Sequence, residues 1–298
     1  MAVERFDSVP SEARAALEAV RAELKLEQLP ETLALTLSHA VDGYCRESKC
    51  CQVVGLTGGQ GTGKSTLARV MKVMLEHGFQ RRTVVVSLDD YYLPHGARQA
   101  LAERVHPLLA SRGVPGTHDV PALQEALRGL REGRHVELLE FSKAHDDRSA
   151  ETRSRDGAND VVLFEGWCVG ARAQGAAALE QPINALEREE DPDGRFRRYV
   201  NEQLAGPYRT LWQELDRLIF LAVPSLATVR RFRGEQEQKL RASASGRGVM
   251  IDEQLERFIQ HYDRLTQAML DEAPRYADVV VRLDATRQAS DVVFNTRA

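Results

Sequence analysis

Residues 58–65 read Gly58-Gly59-Gln60-Gly61-Thr62-Gly63-Lys64-Ser65, with Thr66 directly after them. The spacing is GxxxxGK[ST]. Glycines let successive backbone N–H groups turn inward around a phosphate, where a side chain would block the approach. Lys64 then supplies a cation for β- and γ-phosphates, and Ser65 a hard oxygen for Mg²⁺. Residues 58–66 are thus the candidate nucleotide-binding set, with ATP and Mg²⁺ as the implied cofactors. Two acidic sites could turn binding into reaction. Asp89-Asp90-Tyr91-Tyr92 closes the apolar run VVVSL, and Glu165 closes VVLF. A carboxylate at such a position could take the proton of a hydroxyl attacking the γ-phosphate. An acid after a buried run needs a partner, and for Glu165 a divalent ion with its waters is the expected one.

These groups need elements to hold them together. CQVVGLT (51–57), RTVVVSL (82–88), DVVLFEG (160–166), RLIFLAV (217–223) and ADVVVRL (277–283) are near-continuous apolar runs. Such runs suit strands covered on both faces, so an α/β fold with a mainly parallel five-stranded sheet is expected. Ligands of such sheets bind at the carboxyl edge, where the loop and both acids would lie. After the loop, Leu67, Val70, Met71, Met74 and Leu75 recur at helical spacing and the pattern stops near Gly78. Helix N-termini favour anions, which is consistent with a phosphate cradle. Two helices are expected within residues 11–46, with Ser11 as a cap and a break at Pro30. The expected organisation is a helical extension, 1–46, on a P-loop domain, 47–298. That domain has a helical insertion at about 170–215 and a lid at about 228–250.

Composition bounds the alternatives. Of the 298 residues, 40 are Lys or Arg and 44 Asp or Glu, for a formal net charge of -4, and 43% are hydrophobic. A soluble globular protein is expected, not one held by nucleic-acid phosphates. The N-terminus carries early acids and no apolar core, and Leu218–Val229 is too short to span a bilayer, so neither leader nor membrane partner is expected. Cys45, Cys50, Cys51 and Cys168 fit neither a disulfide framework nor a paired CxxC site, and a cytoplasmic location follows. Cys50 and Cys51 are expected to begin a buried strand. No NKxD or LSGGQ-like element is present, against a GTPase or a transporter-type ATPase. Residues 185–198 and 230–250 are charged and do not read as core.

VVVSLDDYY, RVHPLLASRGVPGTHDVPAL and VVLFEGWCVGA together resemble the D-glycerate 3-kinase family of P-loop kinases, allied to uridine kinase, pantothenate kinase and phosphoribulokinase. The likeness spans about residues 50–285. PGTHD and EGWCVGA are its more specific parts. The resemblance implies ATP- and Mg²⁺-dependent transfer of a γ-phosphoryl group to a small, anionic hydroxylated substrate, D-glycerate, giving 3-phosphoglycerate. It implies Asp89 as base, with Asp90 second because adjacent strand residues face opposite ways. Tyr92 and His118 fall on the substrate side. Asp119 matches too, although it also reads as the cap of a helix starting VPALQEAL. FSKAHDDR (141–148) matches the family only in part, since Leu139, Glu140 and Ser142 replace a Pro, an Arg and an Asp. Lys143 and Arg148 remain to pair with a carboxylate. Arg230, Arg231, Arg233, Lys239 and Arg241 follow the fourth strand, where related kinases carry a lid, and Arg231 is the candidate to neutralise transferred phosphate. Gly234 among them is a poor helix-interior residue and a possible hinge. The competing readings are a kinase of the same fold for another small alcohol (nucleoside, pantothenate-like or sugar acid) and a non-catalytic ATP-binding regulator.

Overall fold

The computed structural model describes residues 11–26, 30–48, 50–243 and 252–296, with no side-chain description at 11–12, 239–243 and 252. Along the chain, β1 (Gln52–Gly58) and β2 (Thr83–Ser87) are followed by four short strands, β3 (Val136–Leu138), β4 (Phe141–Ser142), β5 (Asp147–Arg148) and β6 (Arg153–Arg155). Then come β7 (Val161–Gly166), β8 (Arg217–Ala222), β9 (Val279–Leu283) and β10 (Ala289–Phe294). The helices are α1 (Ser11–Glu23), α2 (Glu31–Ser48), α3 (Lys64–Val73), α4 (His95–Arg104), α5 (Val120–Glu132), α6 (Ala185–Glu190), α7 (Arg195–Ala205), α8 (Pro207–Trp212), α9 (Leu226–Ser243) and α10 (Asp252–Glu272).

The five apolar runs become the parallel part of one sheet, ordered β10-β9-β8-β1-β7-β2. β10 adds a sixth, antiparallel strand to the five expected from sequence. Its residues are exposed or half-buried and its register shifts between Ala289 and Asp291, so it lacks the apolar run that marks the others.

Alternate strand residues face opposite layers. Val53, Val162, Phe164 and Phe220 pack with Leu123 and Leu127 of α5, Tyr208 of α8, and Leu265 and Met269 of α10. Val54, Leu56, Leu163 and Ile219 pack with Leu67 and Met71 of α3, Leu37 and Val41 of α2, and Leu17 of α1. Helices α1 and α2 therefore share an apolar core with the sheet. The α3 pattern continues through Met74–Gly78 as a single π-helical turn. Among the described residues, no helix is long and apolar enough to cross a membrane.

Three sequence expectations change. Cys51 is buried, but Cys50 is exposed and the strand begins at Gln52. Residues 185–198 form α6 and the first turn of α7, and they bury an Arg197–Asp191 pair at 2.9 Å and a Glu187–Arg264 pair at 2.6 Å. Charge pattern alone does not reveal such internal pairing. Residues 226–243 form one helix running through Gly234, with Val229 and Phe232 buried against the loop after β1. Residues 244–250 of the expected lid lie outside the described residues.

Asp119 caps α5 as its sequence position suggests. One carboxylate oxygen accepts from the Ala122 N–H at 3.2 Å and the other from Arg148 at 3.0 Å. Asp119→Ala is expected to lower stability by about 1 kcal/mol through loss of the cap, more if Arg148 is left unpaired. Asp119→Asn, which can still cap, should lose less in urea unfolding. Equal midpoints for wild type and both variants would contradict this role.

Candidate active site

The loop after β1 wraps tightly because its glycines lie against other backbone. Gly61 has φ 75°, and a Cβ there would lie 2.8 Å from the backbone of Phe232 in α9. Lys64 is buried and folds back to donate to the Gly59 carbonyl at 2.9 Å, which also accepts from the Thr62 hydroxyl at 2.8 Å. Arg287, beyond β9, donates to the Gly61 carbonyl at 2.8 Å and stacks 3.9 Å over Phe232. No sequence motif marks Arg287; it reaches the loop only because β9 returns the chain there.

Helix α3 places Ser65 beside the end of β7. Glu165 Oε1 accepts from the Ser65 hydroxyl at 2.8 Å and from the Ser87 hydroxyl at 2.9 Å. Burial pushes the Glu165 carboxyl up and the Lys64 ammonium down, each opposed by the other's charge. A hydroxyl and a carboxylate at the mouth of an amide-lined loop are hard oxygen donors of the kind Mg²⁺ accepts. Among the described residues no group of three or more His, Cys, Asp or Glu could hold a metal ion by itself.

β2 ends at Ser87, so Asp89 and Asp90 lie in a single 3-10 turn, Leu88–Tyr91, and not on the strand. The turn sends them apart. Asp89 accepts from the Tyr92 hydroxyl at 2.9 Å and pairs with Lys143 at 2.7 Å. Burial pushes its carboxyl up, but the Lys143 ammonium and the Tyr92 hydroxyl outweigh it and hold the pKa at about 2. Asp90 lies 3.7 Å from Arg153, and there burial prevails, raising its carboxyl to about 6. Two neighbouring acids so separated suit different roles.

Lys143 sits in the turn between β4 and β5, whose base is Phe141. Tyr92 packs edge-on against Phe141, and the guanidinium groups of Arg98 and Arg112 lie over the same ring at 5.8 and 5.5 Å. Both arginines pair with Asp146 in that turn. Arg112 was not singled out from the sequence, although it lies in the quoted run SRGVPGTHD. Its segment is held from two sides: the Arg112 carbonyl accepts from Tyr262 at 3.1 Å and the Gly113 carbonyl from the Trp167 indole at 2.9 Å. Gly113 has φ 137°, and a Cβ there would come within 1.9 Å of the Tyr262 hydroxyl.

His118 is buried, stacked on Tyr92 at 4.5 Å, with Nδ1 2.5 Å from the Tyr208 hydroxyl. Burial lowers its pKa to about 3, so the ring is neutral. Arg148 is turned to Asp119 and the Tyr92 carbonyl at 3.0 and 3.4 Å, and so is engaged in holding that segment. Arg231 donates to the Ala285 carbonyl, near Glu235 at 3.6 Å, on the side of α9 that meets the β9–β10 turn. Arg230 pairs with Asp263 at 2.5 Å and Arg233 with Glu237 at 3.1 Å. The Lys239 and Arg241 side chains lie outside the described residues. The structure thus joins Lys64, Ser65, Asp89, Glu165, Tyr92 and Lys143 around one sheet edge and leaves Arg231 and Arg148 engaged elsewhere.

A parallel sheet with a glycine loop, lysine and serine at its carboxyl edge, and carboxylates on the two neighbouring strand ends, defines a P-loop kinase, a phosphotransferase. The "Uncharacterized kinase mug58" of Schizosaccharomyces pombe is 32% identical over 221 residues, 70% of this chain and 78% of that protein. The "Probable ATP-dependent kinase TDA10" of Saccharomyces cerevisiae is 29% identical over 232 residues, 72% of this chain and 76% of that one. The solved structure of a D-glycerate 3-kinase from Cryptococcus neoformans superposes with a TM-score of 0.73 at 26% identity, covering 88% of this chain and 97% of that one. No family model matches the chain. The chain belongs to the D-glycerate 3-kinase-like family of P-loop kinases.

Replacing Lys143 by Ala removes the charge that keeps Asp89 ionised. Burial then acts on the carboxylate with less opposition, its pKa rises, and the acid limb of kcat at saturating acceptor should move to higher pH. An unmoved limb would separate Asp89 from the rate-determining step.

Proposed function

We propose that the protein transfers the γ-phosphoryl group of ATP, with Mg²⁺, to a hydroxyl of a short hydroxy acid, D-glycerate first, giving 3-phosphoglycerate. The observation that carries this reading is Asp89, an ionised carboxylate paired with Lys143 at 2.7 Å. A base beside a cation suits an acceptor that carries both a hydroxyl and a carboxylate. The similarity to a D-glycerate 3-kinase and to a protein described as an ATP-dependent kinase supports both substrates.

In this mechanism Lys64 exchanges the Gly59 carbonyl for phosphate oxygens, joined by the amides of residues 59–65. Ser65 and Glu165 would hold Mg²⁺, which supplies charge neutralisation at the phosphate oxygens. Asp89 accepts the hydroxyl proton as the oxygen meets phosphorus, and Tyr92 keeps that carboxylate oriented. Lys143 holds the acceptor's carboxylate. His118 lies on the acceptor side. Asp90, with its raised pKa and its Arg153 contact, shapes the ribbon beneath. Arg231 would act only in a closed state in which it leaves Ala285 for the phosphates.

A second acceptor class is favoured by one feature. Glu140 stands where the family resemblance implies an Arg, and it pairs with Arg153 at 2.7 Å. That leaves less positive charge at the ribbon and would suit a larger acid of the pantothenate type. ADP release measured against D-glycerate, L-glycerate, pantothenate and uridine decides between them. Highest kcat/KM with D-glycerate is expected; turnover with uridine alone would reject a hydroxy-acid acceptor.

Asp89→Asn is expected to retain nucleotide affinity while kcat falls about a thousandfold. Calorimetric titration with nucleotide alongside steady-state kinetics separates the two effects. Near-wild-type turnover in that variant would remove Asp89 as the base.

A further inference from the structure

Tyr208 lies in α8, outside every motif of the nucleotide site, and is fully buried. Its oxygen accepts from the Gly116 N–H at 3.0 Å. Among the described hydrogen bonds that phenol's own proton has no other acceptor than His118. His118 Nδ1, at 2.5 Å, is the acceptor in reach. A neutral imidazole that accepts at Nδ1 must carry its own proton at Nε2. That Nε2 is buried and has no hydrogen-bond partner. Buried donors without partners are rare and call for an explanation.

The surroundings say where the donor belongs. The imidazole lies along the ring of Tyr92, tilted by only 25°, and the Tyr92 hydroxyl ends on Asp89. Asp89 is the charge that acts on the ring. The unpaired N–H therefore shares its surroundings with the base.

We infer that His118 is a fixed, uncharged hydrogen-bond donor to an oxygen of the acceptor, through Nε2–H, and that Tyr208 is the positioning residue that fixes it. The inference rests on the reading that a hydroxy acid binds beside Asp89. With Nδ1 occupied and Nε2 protonated, the ring has no lone pair to offer, so it cannot take the proton of the attacking hydroxyl, and that task stays with Asp89. It can recognise a carboxylate or second hydroxyl oxygen without adding charge to a site where Lys143 already supplies it. An acceptor lacking that oxygen would leave the donor unpaired, a penalty that polar sites use for selection.

The test uses full-length protein labelled with ¹⁵N-histidine. Imidazole nitrogen shifts should show Nε2 protonated and Nδ1 bare, with no second proton as pH falls well below the ordinary histidine range. Adding D-glycerate with a non-hydrolysable ATP analogue should move the Nε2–H resonance downfield. In kinetics, Tyr208→Phe should raise KM for D-glycerate about tenfold and leave KM for ATP in place. His118→Leu should lose about a hundredfold in kcat/KM, and His118→Gln, whose amide N–H can replace the donor, should recover most of it. A proton found on Nδ1, an Nε2–H resonance indifferent to D-glycerate, or a Tyr208→Phe variant that loses thermal stability with KM unchanged would each overturn the inference. Failure to phosphorylate any hydroxy acid would instead reject the acceptor reading and the donor's role with it, while the nitrogen shifts still report the tautomer.

Discussion

Asp89 and Lys143 come from segments more than fifty residues apart and meet at 2.7 Å. The pair ties the end of β2 to the β4–β5 turn, beside the contact of Tyr92 with Phe141. A carboxylate partly withdrawn from water at a sheet edge would gain a proton unless a cation stood beside it. Lys143 can stand there only because the turn that carries it is anchored from below. Phe141 packs on Tyr92, and Arg98, itself buried, reaches Asp146 at 2.9 Å while also donating to the Leu93 and Ala110 carbonyls. The ribbon is short, but its position is fixed by an aromatic contact and a buried guanidinium.

A second acid and cation lie one strand away. Lys64 and Glu165 oppose each other's burial beneath the glycine loop, and Ser65 and Ser87 hold the carboxylate in place. Of the two sets, one lies at the glycine loop, the other at the β4–β5 turn. A chain of net charge -4 with six lysines thus places Lys64 and Lys143 beside the two acids that define its chemistry. Overall charge says nothing of this; its distribution does.

Legibility followed the physics of each feature. The parallel strands could be read because strands buried on both faces must be apolar along their length. Antiparallel β10, with solvent beside it, could not. The glycine loop was legible because its geometry restricts residue type. Arg197, Asp191 and Glu187 looked like solvated surface, because ion pairing across helices leaves no periodic trace. The same is true of Arg112, Tyr208, Tyr262 and Arg287, which reach the site from segments distant in sequence. Arg148 and Asp119 show the converse: residues of the right type for an anion are spent on each other and on a helix cap.

The most direct measurement is phosphorus NMR of the protein incubated with ATP, Mg²⁺ and D-glycerate. A phosphomonoester resonance split into a triplet by a neighbouring methylene, growing in step with ADP, is the expected result. Release of inorganic phosphate alone, or no loss of ATP over the glycerate-free control, would contradict a site built to bring a hydroxy acid to the γ-phosphate.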